Sequence, residues 1–147
     1  MVRNVLVLVH LLAVIVWIGG MFFAHFCLRP VAAAQLQPPQ RLPLLAAVLG
    51  IFFKFVGIAL LLLWGSGLIR FAQAGAAIPA HWHAMAGLAL LMTLIFAVIV
   101  LRYFRRMRAA LEIGDLPSAG RAMNAIRSLV LTNLVLGLIT VTVAVAG

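Results

Sequence analysis

The chain has 147 residues, of which 67% are hydrophobic and 9% charged, and its 11 Lys and Arg against two acids give a net charge of +9. A soluble domain is about 45–50% apolar and about 25% charged, so this composition excludes one and predicts an integral membrane protein. The arginines cluster between apolar stretches, which favours contact with anionic membrane lipid over a nucleic-acid partner.

Four apolar stretches predict four transmembrane helices, covering about residues 5–28, 44–71, 80–104 and 125–145. We expect Arg29 and Pro30 to close the first span and a polar loop to follow it. Gly75 to Pro79 form a short connection, and Arg105 to Arg121 form a basic loop. In the fourth span, Asn133 is predicted to form a hydrogen bond between helices. Residues 1–147 are thus predicted to be a single all-α domain, a membrane four-helix bundle.

Basic residues predict the orientation of the bundle. The first and third loops and the span ends beside them hold nine cations: Arg29, Arg41, Lys54, Arg102, Arg105, Arg106, Arg108, Arg121 and Arg127. The opposite ends hold only Arg3 and Arg70. Because basic loops stay in the cytoplasm, we expect a bacterial inner-membrane protein with both termini periplasmic.

Histidines are the main candidates for chemistry in a chain so poor in ionisable groups. Counted along the helices, His10 and His83 are expected within a few ångströms of the same depth. The second span reaches that layer at residues 65–67, where Gly65 and Gly67 flank a serine, and Gly87 lies one turn from His83. Polar groups within a membrane are costly and are typically functional.

Two imidazoles beside glycines indicate a b-type haem, with His10 and His83 as axial ligands and Arg70 pairing with a propionate. The alternative is copper, held by His10, His81, His83 and Met85, since imidazole and thioether both suit that metal. A third interpretation is a scaffold without a cofactor, in which His81 and His83 lie at the lipid interface beside Trp82.

A second cluster is predicted nearer the cytoplasm, where His25, Arg29 and Lys54 should approach one level. These groups suit an anionic headgroup, a quinone or a second haem. The alternative is that Lys54 extends to the headgroups and His25 lies at the interface.

Two segments resemble known families. The stretch from His10 through Trp17 and Gly20, ending in Leu28-Arg29-Pro30, resembles the first helix of the CopD family of copper-resistance membrane proteins. It is also similar to the His-x6-Trp-x2-Gly pattern of HemJ-type protoporphyrinogen oxidases. Trp82-His83, opening an apolar helix that ends in Arg102-Tyr-Phe-Arg-Arg-Met, again looks like HemJ, although HemJ proteins carry a lysine where this chain has Met85.

The CopD resemblance implies copper uptake or tolerance, and the HemJ resemblance implies haem b and oxidation of a porphyrinogen. At the matching positions the chain has His10 and His83. We therefore expect a membrane haem protein acting in redox or electron transfer, with copper binding or transport as the alternative. Oxidoreductase activity and a homo-oligomeric state stay open, and a quinone or a periplasmic redox protein is the expected partner.

Overall fold

The computed structural model describes all 147 residues as four long helices joined by three short turns. The helices are α1 (Val2–Gln35), α2 (Pro38–Ala74), α3 (Ala80–Glu112) and α4 (Leu116–Ala146). All four are long and apolar enough to cross a membrane, which confirms the predicted all-α four-helix bundle.

The helices are longer than the predicted spans. They contain 31 to 37 residues, which corresponds to about 46–55 Å of helix against a hydrocarbon core of about 30 Å. Each helix must therefore tilt within the bilayer or extend beyond it.

The two turns at one end are shorter than predicted. Only Leu36 and Gln37 separate α1 from α2, and only residues 113–115 separate α3 from α4. Most of the predicted loop from Arg105 to Arg121 is therefore helical, because Met107 and Ala110 are buried where this part of α3 packs on α4. The end with these two turns is called the basic end below. The predicted Gly75–Pro79 connection is confirmed. The end that holds this connection and both termini is called the histidine end.

Asp115 caps the start of α4. Its carboxylate accepts a hydrogen bond from the Ser118 backbone N–H at 3.2 Å, which satisfies one of the free amides of the first helical turn. Hydrogen bonds from the side chain and backbone of Ser118 lower the pKa of Asp115, and the nearby Arg121 lowers it further. Helix α3 ends just before, and the φ of 73° at Gly114 lets the Asp115 N–H bond back to the Ala110 carbonyl at 2.9 Å.

Pro30 does not end the first helix as predicted. Ala24–Leu28 form a π-helical turn, and the Arg29 N–H bonds to the Ala24 carbonyl five residues earlier. This turn shifts the hydrogen-bond register just before Pro30, so the missing N–H of proline does not terminate the helix. A second π-helical turn, Ile99–Phe104, lies in α3.

The helices pack mainly as two pairs, α1 with α2 and α3 with α4. Aromatic rings join the pairs at the centre of the bundle. Trp17 and Phe96 meet edge-on with their centroids 6.4 Å apart, and Phe53 meets Phe96 at 5.8 Å. Trp64 on α2 also donates its indole N–H to the Thr93 hydroxyl on α3 at 3.1 Å.

Asn133 links α4 to α3, as the sequence predicts. Its side chain is only 1% exposed, and its Nδ2 donates to the Met92 carbonyl at 3.1 Å. Because no water enters a hydrocarbon core, such a bond has no solvent competitor. It therefore fixes the register of the second helix pair.

We expect Asn133→Ala to lower the free energy of unfolding by about 1 kcal/mol, within the range of interhelical hydrogen bonds in membranes. Unfolding by SDS in mixed micelles measures this loss. Thr132→Ala is the control, because Thr132 is exposed and bonds only within its own helix, to the Ser128 carbonyl. Equal losses in the two variants would show that the Asn133 bond does not hold the helices together.

Candidate functional site

His10 lies half-buried on α1 and points at α2. Its Nδ1 is 3.1 Å from the Ser66 hydroxyl oxygen, and Ser66 is 4% exposed. A Cβ placed on Gly67 would lie 3.8 Å from the His10 ring. The predicted contact between His10 and the layer at residues 65–67 is thus present.

The Ser66 hydroxyl has a second hydrogen-bond neighbour, which bears on the tautomer of His10. The serine hydroxyl donates to the Leu63 carbonyl at 3.2 Å in the preceding turn of α2. A hydroxyl has a single hydrogen, so when that hydrogen is given to Leu63 the serine oxygen accepts from the Nδ1–H group of His10. Proton donation therefore runs from His10 to Ser66 and on to Leu63.

This assignment leaves the other ring nitrogen of His10 available. Nε2 then holds a lone pair, and it makes no hydrogen bond within the chain. Metal-ligating histidines are typically oriented in this way, with one ring N–H given to a protein oxygen and the other nitrogen presented to the metal. With Nδ1–H given to Ser66, the Nε2 lone pair of His10 is free of protein contacts.

His83 lies in a different environment. Its ring is exposed and meets the edge of Phe71 on α2, with centroids 5.8 Å apart. Phe71 also contacts Trp82 at 5.5 Å, and the Arg70 guanidinium lies 4.7 Å from the centre of the Trp82 ring. Arg70 is therefore held at the histidine end by a cation–π contact, at the junction of α2 and α3.

His10 and His83 contact α2 at two different positions. They contact Ser66 and Phe71, which are five residues, or about 7.5 Å, apart along α2. The sequence-based depths assume that each helix begins where its apolar stretch begins. In the structure α1 begins at Val2, so His10 lies two turns inside, whereas His83 lies in the first turn of α3.

The glycines expected around the histidines differ in their surroundings. Gly67 contacts His10, whereas a Cβ on Gly65 or Gly87 would meet no atom within 4 Å. Both of these glycines are exposed on the bundle surface. A larger side chain at either position would therefore meet no other part of the bundle.

The four residues of the copper alternative are not brought together. No three His, Cys, Asp or Glu side chains group as a metal site, so His10, His81 and His83 do not form one. His81 packs against the C-terminal Gly147, where an added Cβ would lie 2.7 Å from its Nδ1. Met85 is half-buried on α3 and makes no polar contact. No observation therefore favours copper over haem.

The second predicted cluster divides into two sites at the basic end. His25 and Arg29 line a small cavity of about 20 Å³ with Arg127 of α4. Lys54 lies elsewhere, in a larger groove between α2 and α3. Helical depth alone suggested that Lys54 approaches His25, but the two side chains lie on different sides of α2.

Comparison with protein-family models, curated proteins and solved structures finds no match to this chain.

The contact of His10 with α2 is testable by cross-linking in membranes, after the native thiol is removed by Cys27→Ser. We expect a short bifunctional thiol reagent to join the pair His10→Cys and Ser66→Cys. The control pair combines His10→Cys with Leu68→Cys, since Leu68 is two residues away and 61% exposed to lipid. A higher yield for the control pair would contradict the helix orientation.

Proposed function

We propose that the protein is a membrane-embedded b-type haem protein acting in redox or electron transfer. The observation that carries the proposal is the hydrogen-bonded chain from His10 through Ser66 to Leu63, which presents Nε2 of His10 as a ligand. A bound haem supplies one-electron chemistry at its iron, and an axial imidazole tunes its potential.

His10 is the proposed first axial ligand and His83 the proposed second. The exposed ring of His83 has no hydrogen-bond partner that would have to be broken. Arg70 is the proposed propionate partner, because it is a cation at the histidine end and is held over the Trp82 ring, one residue before His83 in the chain. The absence of a side chain at Gly67 would let a haem approach α2 closely. A Cβ on Gly65 or Gly87 would meet no atom within 4 Å, so these positions do not obstruct it.

The proposal extends to location and partners. We propose the bacterial inner membrane, with the histidine end facing the periplasm, because nine of the 11 cations lie toward the basic end. A haem at the histidine end is then placed to exchange electrons with a quinone or a periplasmic protein. The resemblance to the CopD and HemJ families is part of the same proposal.

The detergent-purified protein should show a Soret band, and sharp α and β bands on reduction, with iron and no copper at stoichiometric level. His10→Ala should abolish haem binding, and His83→Ala should remove or shift the low-spin spectrum because the iron loses an axial ligand. Ser66→Ala should weaken haem binding about 10-fold, as loss of a histidine-orienting partner does at metal sites.

His81→Ala is the matched control for the spectra. His81 is on the same helix turn as His83 but packs on Gly147, so its removal should leave the bands in place. Stoichiometric copper without iron in the purified protein would refute the haem assignment.

Orientation is tested separately by reporter fusions. Alkaline phosphatase fused after Gly147 should be active, because this enzyme folds only in the periplasm, and a fusion within the turn at Ile113 should be inactive. The reverse pattern would place the basic end in the periplasm and contradict the proposed topology.

A further inference from the structure

A large groove lies between α2 and α3 at the basic end, apart from the histidines. Its volume is about 760 Å³, within the range of about 300–1,000 Å³ typical of ligand sites. Phe53 and Phe104 lie in its wall, with their rings meeting edge-on at 5.1 Å. The groove is open on its lipid-facing side, so a membrane component can enter it laterally.

Small residues of α2 create the space in this groove. Ala46, Ala47 and Gly50 line it on one side. A Cβ on Gly50 would lie 3.4 Å from the Phe104 ring, in ordinary contact. The apolar lining suits a hydrocarbon chain and is unsuited to a fully hydrated anion.

Cations line the same groove. Lys54, Arg105 and Arg108 are among its lining residues, against a single acid, Glu112. The guanidinium of Arg108 lies 5.8 Å from the centre of the Phe104 ring, at the boundary between the charged and apolar parts. The groove therefore carries an excess of two positive charges beside an apolar wall.

Two of the four arginines in this part of α3 line the groove. Residues of this turn, Ile99–Phe104, contribute to the groove wall. Arg105 and Arg108 follow it on the groove side, whereas Arg102 and Arg106 lie over the Tyr103 ring, at 5.3 and 5.9 Å. Single π-helical turns within α-helices frequently occur at functional sites.

We propose that this groove binds a phospholipid with an anionic headgroup. The phosphate lies between Arg105 and Arg108, beside the small residues of α2, and an acyl chain extends past Phe104 and Phe53 toward the centre of the membrane. Basic pockets between transmembrane helices recognise anionic lipid headgroups through this combination of charge and apolar surface. The inference does not depend on haem binding or on the direction in which the bundle is inserted.

Native mass spectrometry of the delipidated protein, titrated with phosphatidylglycerol or phosphatidylcholine, tests the proposal. Phosphatidylglycerol should bind more tightly than phosphatidylcholine. Arg105→Gln and Arg108→Gln should each weaken phosphatidylglycerol binding about fivefold, and the double variant about 25-fold, as expected for charges near a membrane surface.

Arg102→Gln and Arg106→Gln are the matched controls, since they remove the same charge from the same helix but outside the groove. They should leave the affinity within about twofold of the parent. Equal losses from the two sets would overturn the proposal, because the lipid would then be responding to overall charge.

Ala47→Leu narrows the groove beside the arginines without a change of charge. Ala47 is exposed within the groove, so the larger side chain fills the space without displacing the bundle core. It should weaken phosphatidylglycerol binding while leaving the thermal unfolding midpoint unchanged. Unaltered binding in this variant, or equally tight binding of inorganic phosphate alone, would show that no lipid chain occupies the groove.

Discussion

The structure depends on one constraint, which is that a polar group inside a bilayer must find its partner within the protein. The His10 N–H meets this constraint through Ser66, whose own hydroxyl is satisfied by the Leu63 carbonyl. No water or surface group is needed. Because the hydrogen bond occupies Nδ1, the same contact that makes His10 tolerable in the membrane leaves Nε2 available as a ligand. The hydrogen bond between His10 and Ser66 thus serves both the packing of α1 on α2 and the proposed binding of haem.

The other interhelical contacts follow the same constraint, except at Asn133, whose Oδ1 is buried without a hydrogen-bond partner. Asn133 gives its amide to the Met92 carbonyl in one helix pair, and Trp64 gives its indole N–H to Thr93 between the pairs. Aromatic rings fill the space between these polar contacts. At the basic end the polar contacts are sparse, and the side chains there are mainly cations for which the chain has only two acids. Anionic lipid is the remaining source of compensating charge. The groove between α2 and α3, where we propose that such a lipid binds, therefore follows from the same constraint.

Sequence reasoning reaches the helix class, the approximate spans and the contact of His10 with the serine layer, because each depends on hydrophobicity or on counting along a helix. Counting residues along two helices gives a common depth only if both helices start at the same level in the membrane. Helix α1 begins earlier than its apolar stretch, and His10 and His83 contact α2 at Ser66 and Phe71, which are about 7.5 Å apart along that helix. The π-helical turns and the helical continuation through Pro30 have no sequence signature of their own. The predicted cluster of Lys54 with His25 is not formed, because depth along a helix does not show on which face of the helix a side chain lies.

The most direct test of this account is the tautomer of His10, measured by ¹⁵N NMR of histidine-labelled protein in lipid bilayers. The account predicts that Nδ1 carries the proton and that Nε2 does not, both in the parent chain and with haem bound. Ser66→Ala should remove this preference, whereas Ser128→Ala, on the exposed side of α4, should not. A signal showing a protonated Nε2 and a bare Nδ1 in the parent chain would contradict the account, since the nitrogen offered to the iron would then carry a proton.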